Sequence, residues 1–380
     1  MIINFLIIIQ AKMKRRLIIF SGFNQRAVIA LLRTVSKMKV PTAIIAAGNT
    51  DTIFATSYAK EVCLVRSTLE LKIQLFIPLF EKLVNLFEGE QLIIAPSTET
   101  LIRLFLKNRN ILEKYSIILP VVDEKLYLKM SDKLKFNNLC QKNKINVPTQ
   151  YSKISECPKQ FVAKPKEYYS QFAGKFQSPI IITTNEEKKT FMKNYYTEDF
   201  YFEELIEGES YYLLYYITKK MEIIKFSQKN ILQQSNGKSI ILAELAEIHK
   251  EEISDLFEKL LLAQKFQGLI MIEIRKRAGV YYMIEANPRM WGPSQLFVDA
   301  GINFFEYLLY DWQLMDYYPQ LKDVNKQIKY CWSGGLKNDL IAGKKVNILD
   351  KNCYSVKEWL SFLQNDIYCR KDTMKIFEKE

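Results

Sequence analysis

Between positions 268 and 291 the chain reads GLIMIEIRKRAGVYYMIEANPRMW, and Glu273, Glu285, Asn287 and Arg289 within it are side chains that handle metal ions and anions. Two runs rich in Ile, Val, Tyr and Met flank Lys276-Arg277-Ala278-Gly279, the pattern of a β-hairpin. A three-residue loop at 277–279, with Gly279 in the left-handed position, pairs Lys276 with Val280 and Glu273 with Met283. Strand alternation then sets Glu273, Met283 and Glu285 on one face, with Asn287 beyond. Two carboxylates among apolar neighbours repel each other and resist burial unless a cation joins them. An oxygen-only set of two acids and an amide suits Mg²⁺ or Mn²⁺ rather than Zn²⁺. The alternative for such a pair is a solvated acidic face. Pro288 stops further strand pairing, and Arg289 adds a planar cationic fork beside the acids.

The elements that must position these groups lie upstream. Ser131-Asp132-Lys133 opens an amphipathic stretch, with Asp132 or Ser131 as N-cap and Pro148 after its end. Phe161-Val162-Ala163-Lys164-Pro165 is an apolar strand interrupted by a lysine, and FEELIEGE follows at 202–209. Strand-like runs between 211 and 242 break at Lys219-Lys220 and at Gln234-Ser235-Asn236-Gly237, and a helix is expected over 244–266. The N-terminal third alternates: strands at 17–21, 42–47 and 92–95, helices at 26–39, 69–87 and 99–107, a parallel α/β pattern.

Strand-Glu, turn, strand-Glu-x-Asn-Pro-Arg resembles the metal-binding core of the ATP-grasp superfamily, and the three upstream segments resemble that superfamily's pieces in the same order. The resemblance implies a mixed α/β and α+β fold: an N-terminal parallel α/β (pre-ATP-grasp) domain at 14–119, then a two-lobed ATP-grasp fold with a small lobe at 120–199 and a large lobe carrying the metal site at 200–330. A C-terminal segment at 331–380 packs on the large lobe. It implies ATP and Mg²⁺ (or Mn²⁺), held through Glu273, Glu285 and Asn287. Lys133 and Lys164 contact phosphates. Glu203, Glu204, Leu205 and Ile206 hold adenine, and Glu209, or else Ser210, reaches the ribose. Arg289 and Lys229 serve the reaction itself. The run NPRMWGPS at 287–294, the step Asp299-Ala300-Gly301-Ile302-Asn303 and Asp366-Ile367-Tyr368-Cys369-Arg370-Lys371-Asp372 are similar to the carboxylate–amine ligase branch. That branch implies an EC 6.3-type ligase that activates a carboxylate as an acyl phosphate, joins it to an amine and releases ADP and phosphate. The rival readings are a bicarbonate-using carboxylase-type or purine-pathway member and a non-catalytic ATP-binding module.

The sequence departs from the family where a Gly-rich loop covers phosphate: EYYSQFAGKFQSP at 167–179 holds one glycine, Gly174, so the cover falls to Ser170, the Gly174 backbone and Lys175. Trp291 covers a ligand or packs under the following helix. The turn Ser21–Arg26 leads into a helix N-terminus where a carboxylate could be held, with Arg26 either serving it or facing solvent.

Composition bounds the rest. The chain has 380 residues, 48% hydrophobic and 25% charged, and a net charge of +12 whose cations are scattered among acids. No basic block or RNA-binding aromatic signature points to nucleic acid; the charge suits a cavity for anionic nucleotide and acid. The partners expected are small carboxylates and amines, with a homodimer allowed for. The single histidine, His249, expected in solvent on a helix, rules out histidine-rich metal sites. Six widely spaced cysteines without a CxxC pair suggest free thiols and a cytoplasmic location. The apolar start MIINFLIIIQ is too short to span a bilayer. Residues 1–13 are a mis-assigned start before Met13, or else an extra strand or a surface tether.

Overall fold

The computed structural model describes residues 13–166, 169–170, 175–177, 179–320, 323–350, 352 and 354–380, with the side chains at 169, 170, 175 and 176 left aside. The segment before Met13, Gly174, Cys353 and the side chains of Ser170 and Lys175 therefore lie outside what is described.

The N-terminal domain is a five-stranded parallel sheet of β1 (Lys14–Phe20), β2 (Thr42–Ala46), β3 (Val62–Val65), β4 (Glu90–Ile94) and β5 (Ile117–Ile118), in the order β3-β2-β1-β4-β5. Its central strands become continuously apolar at Leu17–Phe20, Ala43–Ala46 and Leu92–Ile94, where both faces are covered. Ile18, Phe20 and Ile45 pack against helices α2 (Ile73–Leu86) and α3 (Glu99–Lys107). Leu17, Ile19 and Ile44 pack against α1 (Gln25–Met38), whose buried stripe Ala27-Val28-Leu31-Leu32-Val35 follows helical spacing. The short β3 and β5, with α4 (Arg109–Lys114), were not legible as separate elements.

Two further helices follow, α5 (Glu124–Ser131) and α6 (Lys133–Lys142). Asp132 is the N-cap of α6, accepting from the Lys135 amide at 2.9 Å. Both helices were grouped by sequence with the small lobe, yet Met130, Phe136, Leu139 and Cys140 pack against the large sheet. The small lobe's antiparallel sheet orders β6 (Gln150–Tyr151), β7 (Phe161–Pro165), β10 (Ile180–Ile182) and β11 (Phe200–Glu204) as β10-β7-β11-β6. A hairpin of β8 (Tyr169–Ser170) and β9 (Lys175–Phe176) stands apart, and α7 (Asn185–Asn194) covers the lobe's Phe161, Phe200 and Phe202.

The large lobe is a seven-stranded antiparallel sheet: β12 (Glu209–Ile217), β13 (Ile223–Gln233), β14 (Ile240–Ala246), β15 (Gly268–Arg277), β16 (Val280–Asn287), β17 (Lys329–Cys331) and β18 (Asn347–Ile348). The helix expected over 244–266 begins late: residues 244–246 end a strand, and a short 3-10 turn at Ile248–Lys250 follows before the helix. Residues 240–246 form β14, because Ile241 and Ala243 fill the core, and α8 spans only Glu252–Ala263. Alternation splits β12 cleanly. Tyr211, Leu213 and Tyr215 face α6 and α8, while Tyr212, Leu214 and Tyr216 face α1 and the helices α9 (Ser294–Ala300) and α10 (Phe304–Asp311). α1 thus lies between the two domains' sheets.

The C-terminal segment completes the large sheet through β17 and β18, so a boundary at 330 falls inside a strand. Its end clasps the first domain: Asp372 accepts from Arg33 Nε at 2.8 Å, Arg33 Nη2 at 3.1 Å and Tyr58 Oη at 2.9 Å. Arg370 pairs with Asp299 at 2.5 Å. Among the described residues, no helix is long and apolar enough to cross a membrane, and the five described cysteines are free.

Candidate functional site

The β15–β16 hairpin turns on two residues, not three. Arg277 pairs with Val280, and Ala278 and Gly279 both have positive φ (49° and 82°), as a tight hairpin turn requires. That register alone would put Glu273 and Glu285 on opposite faces. A bulge restores them: Ile274 pairs with Met283, the next partners are Glu273 and Glu285, and Ile284 is the extra residue. Met283 therefore belongs to the opposite, apolar face with Ile274, correcting the expected grouping.

Glu273 and Glu285 sit on one face, with Asn287 two residues on. Lys133, at the start of α6, lies 3.0 Å from Glu285 Oε2. Asn287 Nδ2 donates to Glu285 Oε1 at 2.8 Å, and Arg289 Nη2 donates to Asn287 Oδ1 at 3.1 Å. The small lobe reaches the same strand through the bulge: buried Lys164 lies 2.5 Å from Glu203 and donates to the Ile284 carbonyl at 3.1 Å. Glu203 also accepts from buried Asn137 at 2.6 Å. A charge-assisted partner holds each lysine at the hairpin, Lys164 buried and Lys133 partly exposed.

The two acids differ electrostatically. Burial raises the Glu273 carboxyl above its ordinary range; Arg275, at 3.5 Å, opposes this and the Glu285 charge adds to it. Burial would raise Glu285 also, but Lys133 and Asn287 bring it down to about 2. Glu273 is thus a buried carboxylate short of positive charge. It also accepts from Ser210 Oγ at 3.4 Å, itself accepting from Asn230 Nδ2 at 2.9 Å. An oxygen-only set with an under-compensated buried carboxylate fits Mg²⁺ or Mn²⁺. Lys133 Nζ supplies positive charge to Glu285.

Not every candidate joins the cluster. Lys229 points to the other face of the sheet, paired with Glu209 at 2.8 Å and buried Asp350 at 3.0 Å. Parity decides this: Lys229 stands opposite Tyr211, and Ser210 and Asn230 opposite each other on the carboxylate face. Glu209 is likewise on Lys229's side, so of the two expected ribose contacts it is Ser210 that lies beside Glu273. Asn230 and Gln228 were missed, although two-residue alternation on either side of Lys229 could have found them. Glu204 bonds Arg277 at 2.6 Å and Thr149 at 3.1 Å; Leu205 is half-buried and Ile206 buried at the hinge between the lobes. Trp291 is 2% exposed and packs on Phe297 and Phe304, the packing alternative. Arg26 does not face solvent: its guanidinium stacks 3.8 Å over Trp332. His249 lies in a short turn, not a helix, half-buried with Nδ1 2.8 Å from Ser227 Oγ.

Residues 130–293 match the family model of the ATP-grasp domain. Among solved structures the chain is similar to an N5-carboxyaminoimidazole ribonucleotide synthetase in complex with ADP, with a TM-score of 0.60 and 15% identity over 89% of this chain and 93% of that one. It is similar also to the biotin carboxylase domain of Hydrogenobacter thermophilus 2-oxoglutarate carboxylase, determined with MgADP, ADP and bicarbonate (TM-score 0.60, 13% identity, 84% and 74% covered). A third is Rhizobium etli pyruvate carboxylase (TM-score 0.59, 15% identity), of which the chain covers 83% of its own length and 30% of that protein's. No curated protein matches the sequence. At these identities the solved structures show a shared fold, and residues 130–293 of it are the segment that matches the ATP-grasp domain model.

Proposed function

We propose that the protein is an ATP- and Mg²⁺-dependent ligase that activates a carboxylate as an acyl phosphate and joins it to an amine. The observation that carries this is the bulge-restored pairing of Glu273 with Glu285 opposite two lysines, Lys133 and Lys164, drawn from two other elements. ATP lies between the lobes, its adenine against the 203–206 hinge and its phosphates against both lysines, which neutralise part of their charge. Ser210 is the side chain nearest the carboxylates able to meet the ribose. Mg²⁺ or Mn²⁺ held by Glu273, Glu285 and Asn287 would offset the charge on the phosphoryl oxygens. The substrate carboxylate oxygen bonds to the γ-phosphorus as the bond to the β-phosphate oxygen breaks, releasing ADP. The amine nitrogen then attacks the acyl carbon; Arg289 stabilises the oxyanion, the amine loses a proton to solvent, and phosphate leaves. Lys229 has no part in this sequence, since Glu209 and Asp350 hold it on the other face.

The test is nucleotide consumption with Mg-ATP and pools of amino acids and uronic acids. ADP and phosphate released in an amine-dependent way support the reading. AMP and pyrophosphate, or no consumption with any pool, overturn it, and bicarbonate-dependent ADP release without an amine transfers the site to carboxylase chemistry.

A further inference from the structure

The turn after β16 carries one guanidinium and touches another. Arg289 Nη1 donates to the Met290 carbonyl at 2.8 Å, and its Nε is buried without a partner. Asn24, at the start of α1, donates to that same carbonyl at 3.0 Å and to the Ser97 carbonyl at 3.1 Å. Two residues on, Gly292 lies against Arg26: a Cβ there would stand 2.9 Å from Arg26 Nη2 and 3.1 Å from its Cζ. The loops at the carboxyl ends of β1 and β4, where strand order reverses in the first sheet, are thereby seated on the Arg289 turn.

Arg26 is held rigidly. Beside the stacking on Trp332, its Nη1 donates to the Ile240 carbonyl at 3.0 Å and to Tyr330 Oη at 3.2 Å. Its Nε–Nη2 edge has no partner among the described residues, and neither Arg26 nor Arg289 forms an ion pair among them. The Glu380 carboxylate accepts from Trp332 Nε1 at 3.2 Å and feels the Arg26 charge, but forms no ion pair or hydrogen bond with Arg26 among the described residues. Arg289 on the turn and Arg26 on α1 are thus two half-buried guanidinium groups held at one domain junction: Arg289 Nε is buried without a partner, and the Nε–Nη2 edge of Arg26 is free to take an anion.

We infer that the open edge of Arg26 receives a second, non-reacting carboxylate of the organic substrate, while Arg289 handles the carboxyl that reacts. The substrate class is then a dicarboxylic acid or an amino acid that keeps one carboxylate free. A planar carboxylate matches a single two-donor edge; a phosphate would leave most of its oxygens without donors there. This assignment rests on the ligase reading for the identity of the second group, but the anion site itself does not.

The experiment is therefore run first without nucleotide. The twenty amino acids, short dicarboxylates and uronic acids, each beside its amide, and inorganic phosphate are titrated calorimetrically onto the full chain. At least one acid should bind, and its amide should bind more weakly by on the order of tenfold to a hundredfold, the scale of a charge-assisted hydrogen bond. Arg26→Met should lose the acid by the same factor and Arg26→Lys should recover part of it. Because Arg26 also ties three elements together, Gly292→Ala is the second variant. It keeps the charge and displaces the fork, and it should weaken the acid while MgADP affinity stays unchanged. Equal binding of acid and amide, acid binding indifferent to both variants, preference for phosphate, or no binding by any carboxylate overturns the assignment. Loss of MgADP binding in wild type would instead sink the nucleotide reading and leave the carboxylate result standing.

Discussion

Replacing Glu285 by Gln keeps the side chain's shape and removes one charge, which separates a metal-supporting role from a packing role. Lys133 loses a partner at 3.0 Å, with the two side chains 22% and 27% exposed. At an effective dielectric near 20 the gross attraction at that distance is about 5 kcal/mol. Desolvation of both groups returns most of it, leaving about 1–2 kcal/mol for a pair this accessible. Relief of the repulsion felt by Glu273 acts in the opposite direction. The net change in stability should stay within about 1 kcal/mol, a midpoint shift of roughly 3 °C or less for a chain of this size. Metal dependence should change far more. In wild type Mg²⁺ should tighten ADP binding by about tenfold or more, and in Glu285→Gln by less than about twofold, since one acid and an amide bind Mg²⁺ poorly. Calorimetric ADP titration in Mg²⁺ and in EDTA, with a melting curve as the control for folding, measures both. A variant that melts like wild type and keeps the full effect of Mg²⁺ would refute the assignment of this carboxylate.

Arg289→Lys should leave ATP affinity near normal and lower kcat by roughly two to three powers of ten, the cost of an oxyanion donor; a collapse of ATP affinity would move Arg289 into the nucleotide grip. Asp372→Asn breaks the clasp on Arg33 and Tyr58 and should destabilise the protein by about 2–3 kcal/mol in denaturant titration; a change under about 0.5 kcal/mol would show that the clasp is ornamental to the fold. His249 should titrate below its ordinary value of 6.5, because burial and then Lys250 and Lys225 disfavour the imidazolium. Its folded value is depressed, so the unfolded chain binds more protons between the two values, and stability is lost as pH falls from 6.5 through the folded value. As the single histidine, it gives one imidazole signal for NMR; a midpoint at or above 6.5 would contradict the burial.

How much of this was legible beforehand varies with the reach of the interaction. Local pattern sufficed for the parallel N-terminal domain, where α3 matches its expected span of 99–107 and α1 is displaced by one residue. It sufficed as well for the existence of the hairpin, though not for its loop length or register, and for the Asp132 N-cap, since such signals involve residues a few positions apart. The expected helix over 244–266 lost its first three residues to β14, which is decided by pairing with β13 and with β17 far along the chain.

Residue type and order along the chain determined which side chains are candidates: two acids, an amide and an arginine on one hairpin, and two lysines upstream. They could not determine which face each occupies, because a one-residue change in register inverts every side chain on a strand. The bulge at Ile284 put Glu285 with Glu273 and sent Met283 away. Parity across β12 and β13 removed Lys229 and Glu209 from the site and brought in Ser210 and Asn230. The two lysines meet the hairpin only because α6 packs under the large sheet and β7 approaches the bulge. Arg26 meets the Arg289 turn only because two domains dock at Gly292, a position where any larger residue would collide with it.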